Sequence, residues 1–369
     1  MVITLGNIVF GGKGNGGSST ASAYVVPDGM SFAYSSLTEF PTEGLDFSQK
    51  TNFDHCWYWC SFTSFPTLDL SSGTNFYMAW NRCSKLTSFP VLDVSKGKSF
   101  DSAWENCSSL TEFPALDLSS GTNFQSAWYG CSALTTIGQV DLSSGTDFKY
   151  AWRECSSLTE FPVLDLSSGT DFTYAWYKCS SLTEFPVLDL SSGTDFYEAW
   201  GGCKALTSFP LINTANGTDF GYAWADCQSL TEFPLLDLSN GTSFNGTWQG
   251  CSSLTEFPSL DLSNGTSFSM AWMSCPSLTT MSQLDLSKGN SFYNAWYNCS
   301  SLTTLGGFGA IKNSFSLSYS PKLTVESIMN IINQAATVTG KTMTLGSTNL
   351  AKLTDEQKAV ATNKGWTLA

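Results

Sequence analysis

Ser156–Cys179 reads SSLTEFPVLDLSSGTDFTYAWYKC, and the same 24 letters return with few changes at 180–203, 228–251 and 252–275. Looser copies fill the gaps. Ten cysteines from Cys83 to Cys299 and ten tryptophans from Trp80 to Trp296 stand 24 residues apart without a slip. Trp57 and Cys60 continue the series one residue short. A fixed period of roughly 20–50 residues marks a solenoid, in which each repeat packs only on its neighbours.

Inside the repeat the hydrophobic spacing changes. Phe172, Ala175, Trp176 and Cys179 fall at i, i+3, i+4 and i+7, the inward face of a short helix, with Thr170 or Asp171 placed to cap it. Leu188-Asp189-Leu190 alternates like a short strand with both leucines inward. Pro186 lacks a ladder donor, so the strand either follows it or is split by it. Ser191-Ser192-Gly193 turns the chain into the next unit. The spacing therefore predicts an α/β solenoid of 24-residue coils, each a short parallel strand plus a short helix.

Three segments are expected. Residues 1–22 hold one strand over 1–10 and a Gly/Ser-rich hinge; Gly12, Gly14 and Gly17 spell G-x-G-x-x-G but lack the helix and distant acid of a nucleotide site. Residues 23–311 form the solenoid. Residues 312–369 form a small α/β cap. In the cap, Thr324 starts a helix over 325–336 with Ile328, Ile331, Ile332 and Ala335 on one face. A strand follows at 342–345, and Thr354–Gln357 is a capping box before a second helix ending near Gly365.

Lys plus Arg number 17 against 31 Asp plus Glu, a net charge of −14 with no basic stripe, which excludes a phosphate backbone as partner. No apolar stretch approaches the roughly 20 residues of a membrane span, so no membrane insertion is expected. The N-terminus has no basic leader, which points to a chain made and kept in the cytosol.

Chemistry is sparse. The single histidine, His55, has only Cys56 and Cys60 nearby, too few groups for a metal or a nucleophile pair, so no catalytic residue, metal site or cofactor is expected. The cysteine and tryptophan columns read as core. Asp93, Asp117, Asp141, Asp165, Asp189, Asp237, Asp261 and Asp285 form a like-charged column, expected to bond the following Ser-Ser-Gly turns or, alternatively, to hold Ca²⁺.

Four slots per coil between Phe and Cys vary freely. Nine tyrosines occupy them: Tyr77, Tyr129, Tyr150, Tyr174, Tyr177, Tyr197, Tyr222, Tyr293 and Tyr297. Tyr among Gly, Ser and Asn is the composition of a paratope, where rigid amphipathic rings sit beside adaptable polar groups. These nine are the candidate ligand-binding residues. The bland alternative is that the slots merely escaped repeat homogenisation. Gly201, Gly202 and Gly246 are expected to weaken the helices that carry the slots, leaving some of these turns loose or 3₁₀.

The repeat resembles the BspA-like bacterial leucine-rich repeats, whose patterns run A-F-x-x-C-x-x-L-T and L-D-L-S. Ala175-Trp176-x-x-Cys179-Ser180-Ser181-Leu182-Thr183 matches the first and Leu188-Asp189-Leu190-Ser191 the second, with Trp where the family has Phe. The opening MVITLGNIVFGG and the closing LTVESIMNIINQ and LTDEQKAVATNKGWTLA resemble the ends of phage tail-associated repeat proteins. The resemblance implies a non-enzymatic virion protein that recognises a host cell-surface protein or glycan, with residues 1–22 meeting other virion proteins. A structural spacer and a bacterial surface adhesin are the alternatives.

Overall fold

The computed structural model describes residues 23–369, together with the backbone of residues 3–5 and 8–10. The hinge expected over 11–22 lies outside the described residues. Where one strand is expected over 1–10 there are two, β1 (Ile3–Leu5) and β2 (Ile8–Phe10), paired antiparallel with Ile3 opposite Phe10. The letters between them, Gly6-Asn7, are turn formers that an alternation reading passes over.

The chain forms two units, residues 1–158 and 159–369. In the first, β3 (Tyr24–Val25) pairs in parallel with β4 (Leu45–Asp46), and β5 (Glu112–Phe113) with β6 (Thr136–Ile137). Single parallel bridges, Glu39–Ser64, Ser64–Ser88 and Ser88–Glu112, continue that ladder. In the second unit Glu160 bridges Glu184, and β7 (Glu256–Phe257), β8 (Thr280–Met281) and β9 (Thr304–Leu305) form a parallel sheet in which partners lie one period apart. Each unit is therefore a leucine-rich-repeat solenoid of 24-residue coils. The proline splits the strand: Glu112-Phe113 pairs before Pro114, and after it Asp117 alone bridges Asp141.

The short helix expected in each coil is not a helix. From Phe172 to Cys179 the backbone makes overlapping turns: Ala175, Tyr177 and Cys179 donate their N–H to Phe172, Tyr174 and Trp176, three residues back. The alternate N–H groups of Phe172, Tyr174, Trp176 and Lys178 instead donate to carbonyls of the next coil, at 2.7–2.9 Å. Tyr174 and Lys178 have φ of 57° and 58°, and the same two positions are left-handed in coil after coil. An eight-residue helix would form few internal bonds for a costly nucleus, whereas this ladder gives half the N–H groups a partner in the following coil. Phe, Ala, Trp and Cys still point inward, because two successive turns reproduce the i, i+3, i+4, i+7 face. Asp171 keeps its expected role at the entrance, its Oδ1 accepting from the Thr173 N–H at 2.8 Å.

The core is columnar. Within residues 1–158, Trp57, Trp80, Trp104, Trp128 and Trp152 stack at 5.3–5.6 Å, each ring within 12° of its neighbour. Trp176 to Trp296 stack likewise, with one widening to 6.4 Å between Trp224 and Trp248. There Thr247 replaces the usual Ala and, fully buried, donates its hydroxyl to the Phe220 carbonyl at 2.9 Å. Gly193 is required by close approach: a Cβ there would lie 2.5 Å from Phe196 Cζ.

The C-terminal cap belongs to the second unit. Its sheet runs β10 (Phe315–Ser316), β11 (Lys341–Thr344) and β12 (Trp366–Leu368), all parallel. Helix α1 (Val325–Gln334) is capped by Thr324 and buries Ile328, Ile331 and Ile332; α2 (Gly346–Leu350) is an element that no pattern announced. Helix α3 (Asp355–Asn363) starts with the expected Thr354/Gln357 capping box. Among the described residues no helix is long and apolar enough to cross a membrane.

Candidate functional site

The variable slots lie on the turn ladder, so the expected helical face is a face of turns. Tyr77, Tyr129 and Tyr150 stand on it in the first unit; Tyr174, Tyr177, Tyr197, Tyr222, Tyr293 and Tyr297 stand on it in the second. Tyr293 is 69% exposed and the other eight are half-buried by their own neighbours.

Three clusters result. In the first unit the Arg153 guanidinium lies 5.2 Å from the Tyr129 ring centre and 5.5 Å from that of Tyr150. In the second, Tyr174 meets Tyr177 at 5.2 Å and Tyr197 at 5.5 Å, and Tyr197 meets Tyr222 at 6.0 Å. Tyr174 Oη donates to Glu198 Oε1 at 3.1 Å. Burial, then the Glu198 carboxylate, pushes the Tyr174 and Tyr197 phenols up, so both remain hydrogen-bond donors. Tyr297 packs on Tyr319 at 4.3 Å. The coils from Phe244 and Phe268 carry no slot tyrosine, which separates Tyr222 from Tyr293.

The slot glycines do the opposite of weakening a helix. Gly202 and Gly246 have φ of 74° and 61°, a region where glycine is favoured. They also make room: a Cβ on Gly201 would lie 3.1 Å from Tyr177 Cδ2, on Gly221 2.9 Å from Tyr197 Cδ2, and on Gly246 2.2 Å from Tyr222 Cε1. Each tyrosine ring rests on the glycine that fills its own slot one coil later. Comparing each slot with the residue 24 places on would have revealed this pairing.

Sequence reasoning found the first, short repeat but missed the aromatic residues in its slots. Its slots hold His55, Tyr58 and Trp59, which join Tyr34 from the coil before. Tyr34 (71% exposed) meets Tyr58 at 5.5 Å and Trp59 (50% exposed) at 6.4 Å, and Arg82 lies 5.0 Å from the Trp59 ring. His55 contacts the Asp54 carboxylate and the rings of Tyr58 and Tyr77. It belongs to this aromatic patch. A second overlooked feature is an apolar stripe just after the prolines, where Val163, Val187, Leu211 and Leu235 are each about two-thirds exposed.

The two chemical columns take structural partners. The twelve cysteines are buried. In the regular coils the thiol donates to a tryptophan carbonyl one coil back, as from Cys107 to Trp80 at 3.2 Å and from Cys227 to Trp200 at 3.4 Å. Burial pushes the thiols of Cys131 and Cys203 up to about 12. In the aspartate column every Oδ1 accepts from the backbone N–H of the serine two residues on, at 2.9–3.2 Å. Hydrogen bonds from the Ser119, Ser167 and Ser263 hydroxyls, then from their N–H groups, hold Asp117, Asp165 and Asp261 below the usual carboxylate range. Among the described residues no group of three or more His, Cys, Asp or Glu is arranged to hold a metal ion.

No family model matches the chain, and no curated protein matches it. Solved structures do. A leucine-rich cell surface protein from Faecalibacterium prausnitzii is 17% identical over 77% of this chain and 78% of its own, with a TM-score of 0.40. A leucine-rich-repeat protein from Bacteroides ovatus is 15% identical over 90% of this chain and 88% of its own, with a TM-score of 0.38. The functional domain of InlJ from Listeria monocytogenes, described as including a cysteine ladder, is 16% identical over 84% of this chain and 64% of its own, with a TM-score of 0.24. At such identities and scores the matches add nothing to the geometry above.

Proposed function

We propose that this chain is a non-enzymatic recognition protein whose turn face binds a host cell-surface protein or glycan. The observation that carries the reading is the seating of the tyrosines. Rings at Tyr177, Tyr197 and Tyr222 rest on glycines of the next coil, and neighbouring rings hold them edge-on. A ring fixed before contact loses little entropy when a ligand covers it, which is how aromatic paratopes gain affinity. The backbone beneath is tied coil to coil by the turn ladder, so the face is held in place on its own.

The finer reading is a virion tail-associated protein of BspA-like repeat type, with residues 1–22 meeting other virion proteins. Its support is the resemblance of the two ends and of the repeat motif. The test is binding of the purified protein to intact candidate host cells, beside a variant with Tyr150, Tyr174, Tyr177, Tyr197 and Tyr222 changed to Ser. Binding by the parent and none by a variant that keeps its circular dichroism supports the reading. Equal binding by both removes the turn face from recognition. Absence of binding by either, with the protein present in purified virions, turns the reading to a structural spacer.

A further inference from the structure

Two of the hydrogen-bond ladders of the second unit run in opposite senses. On the strand side each coil donates back: Thr279 N–H to the Thr255 carbonyl and Thr303 N–H to the Thr279 carbonyl. The last coil therefore presents carbonyls, and the cap satisfies them. Thr324 N–H and Ser327 Oγ both donate to the Thr303 carbonyl at 3.0 Å, and the Leu305 N–H donates to Ser327 Oγ at 3.0 Å.

On the turn side each coil donates forward: Phe268 N–H to the Ser291 carbonyl at 2.9 Å and Met270 N–H to the Tyr293 carbonyl at 2.7 Å. No regular coil follows Phe292–Cys299. Among the described residues the N–H groups of Phe292 and Asn294 find no acceptor, and both residues line an open cleft of about 460 Å³ between this coil and the start of β10 and β11.

The cleft has a definite chemical character. Lys341 is the only charged residue lining it, no carboxylate does, and Lys341 has no ion-pair partner among the described residues. That is unusual in a chain of net charge −14. Asn290 and Asn313 add amide groups to the walls, and the exposed Tyr293 ring stands among the lining residues. Small-ligand sites span roughly 300–1,000 Å³, which one or two sugar rings fill.

We propose that this cleft binds a sugar carrying a carboxylate, of the uronic or sialic type. The carboxylate takes the two forward-pointing N–H groups and the Lys341 ammonium, replacing the acceptors that a further coil would have supplied. The Tyr293 ring takes a face of the sugar, and the asparagine amides take hydroxyls. The proposal rests on the recognition reading above, since Tyr293 and Asn294 are slot residues, and it names the ligand class for one end of that face.

The test is calorimetric titration of the full chain with the methyl glycosides of glucuronic acid and N-acetylneuraminic acid, against methyl glucoside. Saturable heat from at least one acidic glycoside and none from the neutral one is expected. Lys341→Gln weakens that binding about tenfold, the worth of one charged hydrogen bond. Tyr293→Ala weakens it as well, and Lys322→Gln, an exposed cap lysine that does not line the cleft, leaves it unchanged. Equal heat from acidic and neutral glycosides, no saturation at tens of millimolar, or indifference to both cleft variants overturns the proposal. So does an acidic peptide that occupies the cleft more tightly than either sugar. If cells bind the parent chain and not the tyrosine variant while the acidic glycosides fail, the cleft proposal falls and the turn-face reading stands. The reverse pattern removes the face and keeps the cleft.

Discussion

Changing Trp104 to phenylalanine and, separately, to alanine tests how the tryptophan column is held. Trp104 is fully buried, stacked between Trp80 at 5.4 Å and Trp128 at 5.6 Å, with Phe89 and Phe113 edge-on at 5.5 and 4.8 Å. Its indole N–H has no hydrogen-bond partner among the described residues. Alanine removes the whole ring and costs about 3–5 kcal/mol. Phenylalanine removes three ring atoms, about 1 kcal/mol of transfer free energy and about 1 kcal/mol for the space left. Against this it removes a buried donor without an acceptor, which returns about 1–3 kcal/mol. The net change for Trp104→Phe therefore lies within about 1 kcal/mol of zero, and the motif that the repeat resembles carries Phe at this position. Urea unfolding followed by far-ultraviolet circular dichroism, compared at a common slope, reads both values. A loss above about 3 kcal/mol for Trp104→Phe refutes the reasoning, because the indole N–H would then be making a bond worth keeping.

Gly246→Ala places a methyl 2.2 Å from Tyr222 Cε1 at a φ of 61°. It is expected to cost about 1–3 kcal/mol and to lift the Tyr222 ring, seen as a lowered unfolding midpoint and altered near-ultraviolet dichroism; an unchanged midpoint counts against the seating. The thiol column sets an alkaline limb. Folding holds protons that unfolded thiols release, so stability is full below about pH 8.5 and falls as pH rises towards the folded values of about 12 at Cys131, Cys203, Cys251 and Cys299. Native protein at pH 8 should leave a thiol reagent unreacted while denatured protein consumes twelve equivalents; rapid native reaction contradicts the burial.

Much of this architecture is legible in the letters because the period does the averaging. The inward columns, the serine-bonded aspartates, the Thr324 cap and the Thr354 capping box all follow from spacing and local chemistry. The helix did not survive because i, i+3, i+4, i+7 also describes two turns back to back. What decides between them is a partner for the alternate N–H groups, and that partner lies 23 residues away, as Asp195 does from Phe172. The candidate face was visible as tyrosines. Its seating on Gly201, Gly221 and Gly246 was not, because the relevant comparison is between coils. The cleft at Phe292 was hidden for a different reason: it is made by a coil that does not follow.

The left-handed positions restrict what the face can become. Two of the four variable slots in each coil, those of Tyr174 and Lys178, require a positive φ, which β-branched side chains tolerate poorly. In the eleven coils from Phe53 to Phe292 these slots hold His, Met, Ser, Tyr, Glu, Asn, Trp, Arg, Lys, Asp and Gly, and never Val, Ile or Thr. The backbone thus filters the alphabet before any ligand selects from it. A combinatorial library built on this scaffold should randomise those two columns without the β-branched codons and leave the other two open.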